Sequence, residues 1–329
     1  MNELEYGYNI PALRGMSFEQ IQTPCLIINY EIFKKNIEKM KIFSKKHNVK
    51  LRPHAKMHKS VDISLYQLSH GGASGICCQK VSEAEVFVRG GVKDILITNQ
   101  VCDYRKIDKL CKLNLSSSTI SCCVDNIENV KNINKIAYMN SVKINLLIEL
   151  ECGAKRCGVE DSNEIAKIFE FIENSSNLNF IGFQAYNGSN QHIVDFHNRK
   201  KSVETTNKKI LDLVKDFNLD NIVVTGGGTG CFEYEVMSKI YDEIQVGSYA
   251  FMDAHYSSLR KELNSEVIFD NALFLLTSVI SNSQNSFCVV DAGLKSMTID
   301  SGLPKVFNND KVKYIKCSDE HGILQDKGN

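Results

Sequence analysis

The feature that most constrains the fold is a regular alternation of short apolar runs and helix-like periodicity between residues 50 and 246. Strands that are apolar throughout are buried on both faces, and strand–helix alternation makes them parallel. The eight runs are 50–52, 75–78, 94–98, 119–124, 142–150, 178–183, 221–225 and 242–246. Eight units in about two hundred residues predict a (β/α)8 TIM barrel, with a doubly wound open sheet as the alternative α/β fold.

A region with a different pattern follows Tyr256. Here the apolar runs are joined by loops with little helical periodicity. These runs are 272–280, 287–291 and 312–316. We therefore predict a barrel domain over residues 24–256 and a smaller β domain formed by residues 1–23 and 257–329.

Charge and cysteine content limit the partners and the compartment. The 39 basic residues balance 39 acidic ones, so no basic excess exists to neutralise the phosphates of a nucleic acid. No apolar run approaches the ~20 residues that cross a bilayer, which predicts no membrane partner. The twelve cysteines form no C-x-x-C pair, and the N-terminus lacks a basic, then apolar, signal segment. We expect a cytoplasmic protein with reduced cysteines.

The segment after the first barrel strand is rich in basic side chains. Residues 54–59 contain His54, Lys56, His58 and Lys59, directly after a proline. A lysine beside other cations loses its proton more easily, because the second charge disfavours its own. Such a lysine can attack a carbonyl to form a Schiff base, including the carbonyl of pyridoxal phosphate. A solvated basic turn is the alternative.

A glycine-rich loop follows the seventh strand. Residues 225–230 include three consecutive glycines, whose backbone N–H groups can turn toward an anion without obstruction. The G-x-G-x-x-G register fails at Cys231, and no Gly-Lys-Ser/Thr follows. The position, after a late barrel strand, favours a phosphate site over a plain glycine turn.

Polar and aromatic residues also follow the fifth and sixth strands. Arg156 could hold an anionic oxygen, Tyr186 could lie against a ring, and His192 could carry a proton at neutral pH. Taken alone, each is more typical of a surface residue or of a residue that supports a site from outside. Their shared position at strand ends, together with Lys56 and the glycine loop, predicts one site.

The motifs of this chain resemble those of the D-threonine aldolase, 3-hydroxy-D-aspartate aldolase and D-serine dehydratase group. The matching segments are 52–59, 75–80, 156–159, 184–186, 191–192, 225–230, 247–253, 290–295 and 318–322. Members of the group are pyridoxal-phosphate enzymes with a barrel of alanine racemase type and a smaller C-terminal β domain. The resemblance implies that fold, this cofactor, a small-molecule D-amino acid substrate and a homodimer.

The resemblance also implies roles for individual residues. Lys56 would hold pyridoxal phosphate as a Schiff base, Arg156 would contact the phenolic oxygen of its ring, and Tyr186 would lie at the pyridine nitrogen. His192 would assist removal of a proton from the substrate hydroxyl. The other implied cofactor contacts are Gln79, Thr206, Gly227, Gly228 and Tyr249, of which the last three would surround the phosphate.

One motif of the group is missing from the sequence. Members carry a divalent metal (manganese, magnesium or zinc) on a histidine followed two residues later by aspartate or cysteine. None of the eight histidines begins such a pair, so we expect that the metal ligands are absent from this chain. Three functions stay open. They are retro-aldol cleavage of D-β-hydroxy amino acids, which the resemblance favours, a D-serine dehydratase-type ammonia-lyase, and a truncated cofactor-binding protein without turnover.

Overall fold

The computed structural model describes residues 4–217, 222–259, 262, 265–284 and 286–326. These residues form two compact units that are interleaved along the chain. The larger unit contains Lys35–Ala250 and the described part of Leu259–Phe269. The smaller unit contains the described residues up to Lys34, Phe251–Ser258, and those from Asp270 onward.

The elements follow the alternation that the sequence predicts. The strands are β1 Cys25–Ile28, β2 Lys50–Leu51, β3 Ile76–Cys78, β4 Asp94–Gln100, β5 Thr119–Val124, β6 Ile144–Glu149, β7 Leu178–Ala185, β8 Val223–Gly226, β9 Glu243–Ile244, β10 Leu273–Leu276, β11 Val279–Ser281, β12 Cys288–Val290, β13 Val312–Cys317 and β14 Gly322–Asp326. The helices are α1 Tyr30–His47, α2 Val61–Ser69, α3 Val81–Arg89, α4 Tyr104–Asn114, α5 Ile127–Met139, α6 Ser162–Glu173, α7 Phe196–Val214 and α8 Phe232–Met237.

The eight parallel strands β2–β9 of the larger unit form a closed barrel. Their order is β2-β9-β8-β7-β6-β5-β4-β3, so β2 and β3 stand at the two ends of the sheet. These ends meet, because the carbonyl oxygen of Pro53 accepts a hydrogen bond from the Cys77 N–H at 2.8 Å and that of Leu51 accepts one from Ser74 at 2.8 Å. Pro53 has no N–H to donate, so its carbonyl carries this contact. The structure confirms the barrel and excludes the open sheet.

Adjacent cysteines on the barrel strands point to opposite faces, as the period of a strand requires. Cys77 and Cys123 pack with side chains of β4 and β6 in a buried cluster that consists of strand residues. Cys78 and Cys122 belong to the main core between strands and helices. All twelve cysteines are free thiols.

Short polar side chains determine where four of the barrel helices begin. The side-chain oxygens of Asp103, Asn126, Asp161 and Asp195 accept backbone N–H groups of the first turns of α4, α5, α6 and α7. Each cap satisfies donors that the helix itself leaves unpaired. None of the helices in the described residues has the length and apolar character that a membrane crossing needs.

The smaller unit is built from antiparallel strands. β1 pairs with β10, and β11, β12, β14 and β13 form a four-stranded sheet in that order. β1 lies within the predicted barrel domain of 24–256, and here it pairs with a strand of the smaller unit. The exact limits of the two domains stay a prediction.

One predicted strand of this unit divides into two. The apolar run 272–280 forms β10 and β11, which belong to different sheets. The carboxylate of Asp291 accepts hydrogen bonds from the Thr277 hydroxyl at 2.6 Å and from the Ser278 N–H at 2.9 Å. These two residues therefore turn away from strand pairing, and the prediction of one continuous strand was wrong.

Candidate active site

Lys56 lies at the carboxyl end of the barrel strands, in a short turn fixed by its neighbours. His54 anchors this turn: one ring nitrogen accepts the Lys56 N–H at 3.4 Å, and the other bonds the Thr98 hydroxyl at 2.9 Å. Thr98 belongs to β4. The backbone at Lys56 is thus tied to the barrel, while its side chain remains exposed.

The charge environment of Lys56 differs from the one predicted. Loss of water, and then the positive charge of Arg156, lower the pKa of Lys56. Burial lowers the pKa of His54 well below its usual value and that of His58 to about 4, so both rings are neutral at pH 7. Lys59 extends toward Glu83, with Nζ 3.6 Å from Oε1. The prediction of a lowered lysine pKa agrees in direction, but a distant arginine replaces the adjacent histidines as the cation.

Arg156 follows β6 and is linked to the barrel through Glu149. Its Nη2 lies 3.9 Å from Oε1 of Glu149, the last residue of β6. The other oxygen of Glu149 accepts a hydrogen bond from Gln100 Nε2 at 2.6 Å. Burial raises the pKa of Glu149. Neither Glu149 nor Gln100 is among the site residues that the sequence predicts, although an acidic residue at the end of a buried strand is a usable signal.

Tyr186 directly follows β7 and faces the lysine. Lys56 Nζ lies 5.7 Å from the centre of its ring. Burial raises the pKa of the Tyr186 phenol to about 12, so it keeps its proton. A Cβ at Gly188 would lie 3.3 Å from the ring, which leaves little room for any residue larger than glycine.

Gln79 follows β3 at the same end of the barrel. Its Nε2 lies 3.5 Å from the carbonyl oxygen of Thr98, and its N–H donates to Glu83 Oε2 at 2.8 Å. Thr98 also bonds His54, which in turn accepts the Lys56 N–H, so Gln79 is connected to the backbone of Lys56 through Thr98 and His54. The structure therefore brings together Lys56, Arg156, Tyr186 and Gln79.

The glycine loop after β8 is held from beneath by two buried side chains. Gly228 N–H donates to Glu235 Oε2 at 3.0 Å, and Gly230 N–H donates to Gln191 Oε1 at 2.9 Å. Gly227 has a φ of 76°, and a Cβ there would lie 2.7 Å from Glu235 Oε2. Only glycine suits this conformation and this spacing.

The loop retains donors for an anion. In the part of the chain that the structure describes, the N–H groups of Gly227 and Thr229 have no hydrogen-bond acceptor. The predicted donor Gly228 is instead bonded to Glu235. A phosphate at this loop would therefore be met by the residues on either side of Gly228.

Tyr249 supports the loop through its backbone. Its N–H donates to the Thr229 hydroxyl at 3.1 Å, and its own hydroxyl accepts from Gln67 Nε2 at 3.1 Å. The buried ring thus lies beside the loop, with its hydroxyl already bonded to α2.

Thr206 contacts the loop after β7, to which His192 belongs. The hydroxyl of Thr206, on α7, accepts hydrogen bonds from Asn187 at 2.9 Å and from Asn190 at 3.0 Å. Both asparagines are buried, so Thr206 holds this loop in place. His192 ends the same loop and is exposed.

The residues present fit pyridoxal phosphate. An amine with a lowered pKa can bond its aldehyde, Arg156 can meet an anionic oxygen, and the glycine loop offers N–H donors to its phosphate. A metal ion is not matched in the same way. The described residues bring together no three His, Cys, Asp or Glu side chains that could hold one.

The chain is similar to known proteins over nearly its whole length. Residues 28–255 match the family described as alanine racemase, N-terminal domain, and residues 272–329 match a serine dehydratase domain. The chain is 44% identical over 329 residues to 3-hydroxy-D-aspartate aldolase of Paracoccus denitrificans (strain Pd 1222), covering 98% of this chain and 85% of that protein. It is 36% identical over 321 residues to D-threonine aldolase of Arthrobacter sp, covering 96% and 83%.

The fold is similar to that of a solved member. D-threonine aldolase from Filomicrobium marinum superimposes with a TM-score of 0.92 at 36% identity, over 97% of this chain and 85% of that one. This likeness confirms the predicted barrel of alanine racemase type with a smaller β domain. The chain belongs to the family in which an alanine racemase N-terminal domain precedes a serine dehydratase domain, the family of D-threonine aldolase and 3-hydroxy-D-aspartate aldolase.

Proposed function

We propose that this chain is a pyridoxal-phosphate-dependent lyase that cleaves D-β-hydroxy amino acids by a retro-aldol reaction. The observation that carries the proposal is the group of Lys56, Tyr186 and Arg156 at the carboxyl end of the barrel. The relatives support an aldolase reaction, since the two aldolases are 36% and 44% identical to the chain. Substrates of the type of D-threonine and 3-hydroxy-D-aspartate follow from the names of those relatives.

Lys56 supplies the amine in this proposal. Its lowered pKa places more of it in the neutral, nucleophilic form at pH 7 than an ordinary lysine would have. Lys56 would hold the cofactor through its aldehyde at the carboxyl end of the barrel strands. When bound, pyridoxal phosphate supplies a ring that accepts the electron pair released as the Cα–Cβ bond breaks.

The surrounding residues orient the ring and its charges. Arg156, which lies beside Glu149, would offer a cation to the phenolic oxygen of the cofactor, and Tyr186 would offer a neutral phenol to its pyridine nitrogen. Gln79 would add a further contact, and Gly227 would lie at the phosphate. Since Thr206 and Tyr249 have their hydroxyls bonded within the protein, we assign them to positioning rather than to direct side-chain contact.

The reaction also needs a base for the β-hydroxyl. Breaking the Cα–Cβ bond converts this hydroxyl into a carbonyl, so its proton must leave. His192 is the candidate, because it lies in the loop after β7, at the same end of the barrel as Lys56. We derive no step through a metal ion, although the family resemblance includes manganese, magnesium or zinc.

Product analysis separates the three possible functions. Retro-aldol cleavage of D-threonine releases glycine and acetaldehyde, whereas dehydration of D-serine releases pyruvate and ammonia. We expect glycine and acetaldehyde from D-threonine, or glycine and glyoxylate from 3-hydroxy-D-aspartate, in assays with and without each divalent metal. Pyruvate from D-serine alone would favour the dehydratase, and cofactor binding without any product would favour the inactive protein.

The assembly and the compartment are parts of the same proposal. The family resemblance supports a homodimer, and the free thiols of all twelve cysteines are consistent with a cytoplasmic protein. Light scattering of the purified chain tests the dimer. A mass equal to one chain of 37.0 kDa would contradict it.

A further inference from the structure

Glu235 is a buried carboxyl group directly beneath the glycine loop. It belongs to α8 and is only 2% exposed. Its Oε2 accepts the Gly228 N–H at 3.0 Å, and its Oε1 lies 3.3 Å from Gln191 Nε2. Gln191 in turn accepts the Gly230 N–H at 2.9 Å. The two side chains thus fix alternate N–H groups of the loop and leave those of Gly227 and Thr229 for an anion.

No positive charge balances this carboxyl group. Within the described residues Glu235 takes part in no ion pair, and the titratable groups facing it are Tyr186, Tyr241, Cys152 and Cys231. Burial raises the pKa of Tyr186 and of Cys152 to about 12, and that of Tyr241 well above its usual value, so these groups stay neutral. Burial raises the pKa of Glu235 itself to about 8.

A neutral carboxyl group and a carboxylate have opposite consequences for a phosphate at this loop. Both forms accept the Gly228 N–H, so both can shape the loop. A buried carboxylate would repel a phosphate dianion, because little solvent lies between them to screen the charges. The protonated form holds the loop without that repulsion.

We propose that Glu235 is a positioning residue for the phosphate of the cofactor, and that its protonated form is the one that binds the phosphate tightly. The proposal rests on the proposed function, since it names a control of the same cofactor site. Deprotonation of Glu235 then weakens cofactor binding in alkaline solution, while the folded chain and Lys56 remain in place.

The test uses pyridoxamine 5′-phosphate, which has the phosphate but no aldehyde to react with Lys56. Its dissociation constant for the cofactor-free chain is measured by calorimetry from pH 7 to pH 9. We expect about tenfold weaker affinity at pH 9 than at pH 7. Above its pKa of about 8, Glu235 is a carboxylate, and it must take up one proton before the phosphate binds tightly. The phosphate group itself stays dianionic over this range.

Three variants distinguish the charge of Glu235 from its shape. Glu235→Gln keeps an acceptor for Gly228 and cannot ionise, so we expect wild-type affinity at pH 7 and no loss at pH 9. Glu235→Ala removes the acceptor, so we expect weaker binding at both pH values. Glu233→Gln is the matched control on the same helix, since Glu233 accepts N–H groups of 266 and 267 rather than of the loop.

The wild-type chain alone provides a second measurement if the Glu235 variants do not fold. The ratio of affinities for pyridoxamine 5′-phosphate and for pyridoxamine isolates the phosphate, because both ligands share the titrations of the ring. We expect this ratio to fall about tenfold from pH 7 to pH 9. A constant ratio, or a Glu235→Gln variant as pH-dependent as wild type, would overturn the inference. Failure of pyridoxamine 5′-phosphate to bind at any pH would instead overturn the proposed function.

Discussion

The barrel contains two groups of charged side chains that differ in how their charges are balanced. Near the amino ends of the strands, Arg52 bonds Asp94 Oδ1 at 2.7 Å and Glu243 Oε1 at 2.8 Å. Burial alone would lower the pKa of Arg52, but the charge of Glu243 and the hydrogen bond with Asp94 raise it. At the carboxyl ends, Lys56 and Glu235 take part in no ion pair among the described residues, and burial moves their pKa values toward neutrality.

This difference separates a structural role from a chemical one. A paired, hydrogen-bonded charge is stable in its ionised form and has little capacity to exchange protons. Loss of water around a group without a charged partner moves its pKa toward neutrality, which suits a nucleophile or a proton-linked binding residue. We therefore expect the first group to stabilise the barrel, and we propose that the second takes part in its chemistry.

The largest expected effect comes from removing the amine of Lys56. Lys56→Ala should lower turnover on the order of 10³-fold or more, because the cofactor loses its covalent attachment. Stability should change little, since the side chain is exposed. The measurements are product formation from D-threonine and thermal unfolding. Lys59→Ala is the control, and equal losses in the two variants would remove the distinction between the two lysines.

The second prediction concerns the paired charges, in which Arg52 bonds Asp94 and Glu243. Arg52→Met leaves Asp94 and Glu243 without their cation, so we expect the free energy of unfolding to fall by about 3 kcal/mol. Urea unfolding measures this loss. Arg89→Met is the control, because Arg89 is 77% exposed in its pair with Glu85 and should cost less than about 1 kcal/mol. If Arg52→Met were as stable as Arg89→Met, the structural role of the first group would be wrong.

A smaller effect is expected at Thr206, a buried residue whose hydroxyl bonds the loop after β7. Thr206→Val keeps the shape of the side chain but removes the hydroxyl that accepts hydrogen bonds from the buried amides of Asn187 and Asn190, of which Asn187 keeps only a longer contact to the Cys152 carbonyl at 3.4 Å. We expect a loss of about 1–2 kcal/mol in the free energy of unfolding, and near-complete recovery in Thr206→Ser. If serine and valine behaved alike, the hydroxyl group would not be what holds the loop.

Much of the fold was predictable because apolar periodicity reports burial directly. All eight barrel strands lie where the apolar runs predict them, and most of their residues are buried. The run 272–280 wrongly predicted one continuous strand, because Thr277 and Ser278 within it donate hydrogen bonds to the Asp291 carboxylate. That contact comes from a distant part of the chain, so periodicity within the run does not contain it.

Site residues that follow strands were predictable from the sequence. The buried residues that hold the glycine loop were less predictable. Lys56 and the glycine loop stand out in the sequence by composition. Glu235 and Gln191 do not, because an acidic residue in a short helix resembles an ordinary surface residue until the fold buries it. The neutral state of His54 and His58 was missed for the same reason, since burial is a property of the whole barrel.

The most direct test of the account is to locate the covalent attachment of the cofactor. The chain is incubated with pyridoxal phosphate and treated with borohydride, which reduces a Schiff base to a stable bond, and its peptides are then examined by mass spectrometry. We predict the added mass on Lys56 of the unaltered chain, with Lys59 unmodified. Attachment at another lysine, or no attachment at all, would contradict the claim that Lys56 is the residue around which this site is built.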